Sequence, residues 1–247
     1  MSSHTQQPLL ELSHVTKRFG GLTATNDLSL TIAEGETLFI IGPNGAGKTT
    51  VFNLIMGFLT PDSGDIRFQG KSIKGKKPHE VARLGIGRTF QIVKPLTNMT
   101  VLENVMLGAF AHTSSMSEAR DHALMILERT RLIDRRDMMA GSLTLGGRKR
   151  LEIARAVAIR PRLILLDEVV AGLTPTEALA TIALLKSLSD LGVSAVGGIE
   201  HVMRVVMEIA DRVIVINQGR MIAEGLPAEV TANPEVIEAY LGAATEV

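Results

Sequence analysis

The sequence predicts an α/β fold with a mainly parallel sheet, and three observations carry that expectation. Two continuous apolar runs, "TLFII" (37–41) and "LILLD" (163–167), end abruptly, one at a glycine-rich loop and the other at a pair of carboxylates. Such runs mark strands covered on both faces. Strand-like and helix-like stretches alternate around them, as in units of strand, helix and parallel strand. Between about residue 95 and "LTLGG" the texture turns helical, so an all-helical insertion interrupts the sheet.

Each element has its own signal. "DLSLTI" (27–32) alternates polar and apolar residues like a strand with one wet face, and "LELSHV" from Leu10 is a weaker example. Gly35 turns the chain into the buried strand 37–41. After the glycine loop, Val51, Leu54, Ile55 and Phe58 recur at helical spacing. "GDIRFQG" reads as a hairpin strand and "KSIKGKKPHE" as a charged, solvated loop. Thr100 with Glu103, and Ser115 with Glu118, are capping-box patterns that open apolar-periodic segments. "RLILLDE" (162–168) returns to buried strand. Thr174-Pro175-Thr176-Glu177 is a capping box with proline at the first helical position. "SAVGGIEH" and "DRVIVINQGRMIAEG" read as two further strands with the helix "VMRVVMEIA" between them. "NPEVIEAYLG" reads as a short helix capped by Asn233. The methionines of "MMA" and "VMRVVM" suit core or interface packing.

Composition sets limits. The formal net charge is +0, which argues against a chain that mainly coats nucleic acid. There are no cysteines, so disulfides and Cys-ligated zinc or iron–sulfur sites are excluded. The polar start "MSSHTQQPLLELSHVTKRF" lacks the apolar core of a secretory signal. No apolar run of the length that spans a bilayer occurs. The expectation is a cytoplasmic chain, held at any membrane by a partner.

The chemistry begins at "GPNGAGKT". Gly42, Pro43, Asn44, Gly45, Ala46, Gly47, Lys48 and Thr49 satisfy G-x-x-x-x-G-K-[ST], between a strand and a helix. Backbone N–H groups of such a loop wrap phosphate oxygens, aided by the positive end of the helix. Lys48 would reach the β- and γ-phosphates, and the Thr49 hydroxyl would ligate Mg²⁺. Asp167 ends a buried strand and would hold the same Mg²⁺, mostly through water. Glu168 stands beside it, placed to polarise an attacking water. A second glycine pair, in "LTLGG" (143–147), precedes basic residues and another helix.

"GPNGAGKTT", "LTLGGRKRLEIARA", "LILLDE" and "IEHVM", in that order and spacing, resemble the nucleotide-binding subunit of ATP-binding-cassette transporters. The likeness runs from about Leu9 to Gly242. "KRFGGLTATNDLS", "GRTFQIVKPLTNMTVLENVMLGAF", "AGLTPTE" and "VIEAYLG" resemble the branched-chain amino acid importer subfamily; relatives for urea, amides or aromatic acids share this texture. The resemblance implies a P-loop NTPase (RecA-like) core with a mainly parallel sheet, an N-terminal antiparallel β subdomain, and a helical subdomain over approximately 92–150. All of these would lie in one ATPase domain, 1–247.

The resemblance also assigns roles. Two cassettes pair head-to-tail, and "LTLGG" closes over the neighbour's γ-phosphate. Thr144 would offer a hydroxyl, Gly146 a close backbone N–H, and the helix starting near Arg148 its positive end. Phe19 matches the aromatic that stacks on adenine, and Thr50 completes the phosphate loop. Gln91 matches the loop glutamine that senses Mg²⁺ and the attacking water. His201 matches the switch histidine that contacts the γ-phosphate. Gly172 to Thr174 match the loop that crosses the dimer interface. The implied cofactors are ATP and Mg²⁺. The implied partners are transmembrane permease subunits, a second ATPase subunit (identical or different) and, indirectly, a solute-binding protein, with no nucleic acid. The implied place is peripheral, on the cytoplasmic face of the inner membrane. The helical segment would dock the permease through "VKPLTNMTVLENVMLGAF". Thr144, Gly147, Val169, Thr174 and Val202 depart from the usual family residues. Two other readings stay open on the sequence: a catalytically weak regulatory cassette, and a soluble cassette ATPase outside transport.

Overall fold

The computed structural model describes residues 7–90 and 95–242. In chain order it contains β1 (Leu10–Phe19), β2 (Leu22–Ile32), β3 (Thr37–Ile41), α1 (Lys48–Ile55), β4 (Ser63–Phe68), β5 (Lys71–Ser72), α2 (Pro78–Arg83) and β6 (Ile86–Arg88). The helices α3 (Val101–Ala109), α4 (Met116–Arg129) and α5 (Leu145–Ala158) follow, then β7 (Leu163–Asp167) and α6 (Pro175–Lys186). The chain ends with β8 (Ala195–Ile199), α7 (Met203–Ile209), β9 (Arg212–Asn217), β10 (Arg220–Gly225), α8 (Pro227–Thr231) and α9 (Pro234–Gly242).

These elements gather into two compact units. One holds the chain up to residue 81 together with 195 onward; the other holds residues 82–194. The first unit contains an antiparallel sheet in the order β2-β1-β4-β5. It also contains the strands β10-β9-β3-β8, with β3 parallel to both of its neighbours and β10 antiparallel to β9. Leu38, Phe39, Ile40 and Ile41 of β3 are all buried, as their unbroken apolar run requires. Each such side chain contributes about 1.5–3 kcal/mol by leaving water. Arg212 fastens β9 at its start: its guanidinium donates to Glu36 Oε1 at 2.6 Å, to the Thr31 carbonyl at 2.7 Å, and to Glu224. The second unit pairs β6 with β7 in parallel, Ile86 opposite Leu163, and packs α3 against both α4 and α5. The α/β class with parallel pairing is therefore as the sequence predicts.

The caps hold in detail. Thr100 and Glu103 form both halves of their box at α3, and Thr174 and Glu177 do so at α6 with Pro175 in the first turn. At α4 only half forms. Ser115 accepts from the Glu118 N–H, but the Glu118 carboxylate is taken by the Thr113 hydroxyl at 2.6 Å.

Several expectations need correction. Helix α1 stops at Ile55, because Gly57 turns the chain at φ 74°, so Phe58 lies beyond the helix and exposed. Within "KSIKGKKPHE", Lys71 and Ser72 pair with β4, and Pro78 starts α2. The stretch "DRVIVINQGRMIAEG" is a hairpin of two strands, because Gln218 and Gly219 both take positive φ at the bend. Helix α5 begins at Leu145 rather than near Arg148, since Thr144 caps it. Met138, Met139 and Met207 are exposed, so of the two roles expected, core or interface packing, the core does not hold for these three.

Candidate nucleotide-binding site

The first unit carries Phe19, residues 42–50 and His201; the second carries Thr144, Gly146, Asp167 and Glu168. Gln91 lies outside the described residues.

In the first unit, the phosphate loop joins β3 to α1. Its fold is fixed from outside. Gly219 N–H donates to the Ala46 carbonyl at 2.9 Å, and Asn26 N–H donates to the Gly219 carbonyl at 2.8 Å. The β9–β10 bend thus bridges the loop to β2. Gly47 is the N-cap of α1, at φ 106°, and a Cβ built on it would stand 2.2 Å from the Ala24 carbonyl oxygen. Having no side chain, it cannot cap the helix, and the first turn of α1 holds no acidic residue. The donors of that turn are therefore available to an anion. Lys48 is buried, and its ammonium donates to the Gly42 and Pro43 carbonyls at 2.7 and 2.8 Å. The lysine stem is thereby held along the loop it serves. Asn44, Gly45 and Thr49 are exposed, Thr50 is partly so, and Ala46 is buried. Tyr240 of α9 meets the loop's first residue: burial pushes its phenol up, and a backbone hydrogen bond from Gly42 partly offsets this.

Phe19 ends β1 with 46% of its surface exposed, unlike a core phenylalanine, and the Lys17 ammonium lies 5.7 Å from its ring centre. An exposed ring of this kind is free to stack on a base. His201 follows β8, exposed, and its backbone N–H donates to the carboxylate of buried Glu200 at 3.3 Å.

In the second unit, Asp167 ends β7. Its carboxylate accepts from Arg88 Nη2 at 2.9 Å, with the two side chains 2% and 4% exposed. Its backbone N–H donates to the Thr89 hydroxyl at 3.0 Å. Arg88 closes β6, and its guanidinium lies 5.3 Å from the Phe90 ring centre. Glu168 takes φ 50°, an uncommon conformation for a residue with a side chain. The Lys149 ammonium of α5, itself buried, donates to the Glu168 carbonyl at 2.6 Å and holds that turn.

The Thr144 hydroxyl accepts from the Gly147 N–H at 3.2 Å, which leaves its own proton to donate. A Cβ on Gly146 would stand 2.5 Å from Glu177 Oε1, so α5 and the start of α6 approach as only glycine permits. The Thr174 backbone N–H, donating to the Glu177 carboxylate, holds its pKa below the ordinary value. Thr174→Ala is expected to cost about 1 kcal/mol by removing the cap. Gly146→Ala displaces Glu177 and loses part of the same cap. Thermal melts of the double variant should therefore show less than the sum of the single losses; full additivity would disprove the shared cap.

Arg88, Thr89, Lys149 and Tyr240 are the residues that reading the sequence misses. Only Arg88 carried a hint, as the basic residue in "GRTFQ".

A phosphate-binding loop after a parallel strand, with a buried aspartate closing another, defines a P-loop nucleotide-binding protein. The comparisons narrow this. The family model described as "ABC transporter" matches residues 25–171, and that described as "Branched-chain amino acid ATP-binding cassette transporter" matches residues 220–246. The chain is 42% identical to the high-affinity branched-chain amino acid transport ATP-binding protein BraF of Pseudomonas aeruginosa, over 96% of this chain and 99% of that one. It is 40% identical to LivG of Escherichia coli K12, over the same shares. Among solved structures, the ADP conformation of MJ1267, an ATP-binding cassette of an ABC transporter, superposes with a TM-score of 0.86. It is 34% identical, covering 96% of this chain and 99% of that one. The chain belongs to the ABC transporter family, as an ATP-binding cassette.

Proposed function

We propose that this chain is the ATP-hydrolysing subunit of an importer for amino acids of the branched-chain class. The observation that carries the reading is the full-length likeness to BraF and LivG, joined by the separate match at the C-terminal segment. In this reading ATP binds the loop 42–50, with adenine stacked on Phe19 and the phosphates held by Lys48 and the N–H groups opening α1. Glu168 polarises the attacking water, His201 steadies it at the γ-phosphate, and Gln91 senses both water and metal.

Among the described residues no cluster of three or more His, Cys, Asp or Glu side chains could hold a metal. A metal here would need oxygens from the nucleotide. The donor set of Asp167, Thr49, Gln91 and phosphate is all hard oxygen and suits Mg²⁺, which is held by one or two carboxylates together with phosphates and water. When bound, the ion neutralises charge on the phosphates. The Arg88 guanidinium, 2.9 Å away, holds the Asp167 carboxylate in place at the end of β7.

Thr144 and Gly146 serve the nucleotide of a second cassette. A related solved structure is itself titled as a dimer, the dimeric structure of the ABC transporter cassette MJ0796, with a TM-score of 0.80, 28% identity, and coverage of 88% of this chain and 98% of that one. No helix among the described residues is long and apolar enough to cross a membrane. The membrane path belongs to permease subunits. Exposed Leu96, Leu107 and Phe110 supply the apolar surface of the helical segment that would dock them. The chain then works at the cytoplasmic face, fed by a solute-binding protein on the other side.

The test is Glu168→Gln, which removes the base and traps ATP. Light scattering with Mg²⁺-free ATP should show a dimer, and adding Lys48→Ala should abolish it. An ATP-loaded variant that stays monomeric would show that this chain does not pair with its own copy. For the solute, vesicles with the cognate permease and binding protein should take up leucine on addition of ATP. Uptake of urea or amides instead would overturn the branched-chain assignment.

A further inference from the structure

A cavity of about 170 Å³ lies within the second unit, apart from the residues assigned above to ATP. It is lined by Arg129 and Arg131 at the end of α4, by Arg150 of α5, and by Ala180, Ala183 and Leu184 of α6. Three features set it apart. First, three arginines line one small space, Arg129 and Arg131 exposed at its rim and Arg150 partly buried, and no ion pair found among the described residues engages any of the three. No carboxylate lines the cavity. The Glu177 carboxylate, which feels the charge of Arg150, is hydrogen-bonded within the Thr174 cap. Second, the Arg150 Nε is buried and makes no hydrogen bond. A buried donor left unmade costs about 1–3 kcal/mol, more on a charged group, and so calls for an acceptor. Third, Arg131 takes φ 56°, a conformation in which a side chain is strained and glycine is not. The chain thus places a strained arginine at a turn where glycine would fit, and that arginine lines the cavity.

We propose that Arg129, Arg131 and Arg150 form a binding site for a small tetrahedral oxyanion of the phosphate class. A phosphate dianion offers acceptors on several sides and meets more than one guanidinium fork at once, whereas a single carboxylate satisfies one. Arg150 sits on the same helix as Gly146 and Gly147, so the anion would bear directly on the helix whose start the proposed function assigns to a second nucleotide.

The probe is inorganic phosphate, titrated calorimetrically at constant ionic strength into the full chain carrying Lys48→Ala, so that the phosphate loop contributes little. Saturable binding is expected. Adding Arg131→Gly should weaken it about tenfold or more, the loss of one charge-assisted hydrogen bond. The same substitution should leave the melting temperature without phosphate equal or higher, because glycine accepts this φ. The opposite directions of the two readouts separate loss of a ligand from loss of fold. Three results would overturn the proposal: no saturable heat, equal affinity with and without Arg131, or an equal response to chloride alone. Failure of this site leaves the ATP reading untouched, since none of its residues is assigned to ATP.

Discussion

Gly47→Ala is expected to lower ATP affinity by about 100-fold or more, equivalent to ~2.7 kcal/mol, while the far-ultraviolet circular dichroism stays close to that of the parent. Gly47 holds φ 106°, outside the regions open to a residue with a Cβ. That Cβ would also meet the Ala24 carbonyl oxygen at 2.2 Å, and Ala24 lies within β2, which pairs along its length with β1. The strand cannot yield cheaply, so the loop must. Rotating the peptides at residue 47 turns the first N–H groups of α1 away from the phosphates and pulls Lys48 from the Gly42 and Pro43 carbonyls. Titration with a fluorescent ATP analogue reads the loss. Parent-like affinity would mean that the phosphates do not rest on the start of α1.

Arg88→Ala has the second large effect and acts on the fold. It leaves the Asp167 carboxylate almost wholly buried without the guanidinium now 2.9 Å away. Removing one member of a buried ion pair costs about 3–5 kcal/mol, because the remaining charge stays desolvated. Denaturant midpoints should fall accordingly, with the slope unchanged. Arg88→Lys should recover only part of the stability, since an ammonium lacks the planar fork. A loss below about 1 kcal/mol would place the pair among those whose desolvation cancels their attraction.

These two sites show what a sequence displays and what it hides. Local chemistry was legible. Thr100, Thr174 and Asn233 announced their helices because a cap and its partner lie within three residues. The phosphate loop was legible because one short segment carries its glycines, lysine and threonine at fixed spacing. β6 was not, since three residues containing a glycine give no period to detect. The β9–β10 bend was missed because its turn, at Gln218 and Gly219, sits inside a run of strand-forming residues. Arg88, Lys149 and Tyr240 were hidden for another reason. Their partners, Asp167, the Glu168 carbonyl and Gly42, are distant in sequence or offer only backbone, so nothing beside them marks the contact.

The stitch between Ala46 and Gly219 sets a schedule for the chain as it is made. The loop leaves the ribosome first, and the peptide that braces it comes only after the whole of 82–194 has been translated. At about 5–20 residues per second that delay is on the order of ten seconds. Through that interval the motif is complete as a sequence yet lacks the hairpin that shapes it. ATP, abundant around the growing polypeptide, would then lend it no support until the hairpin has been made, and the segment translated before it must resist aggregation without its ligand.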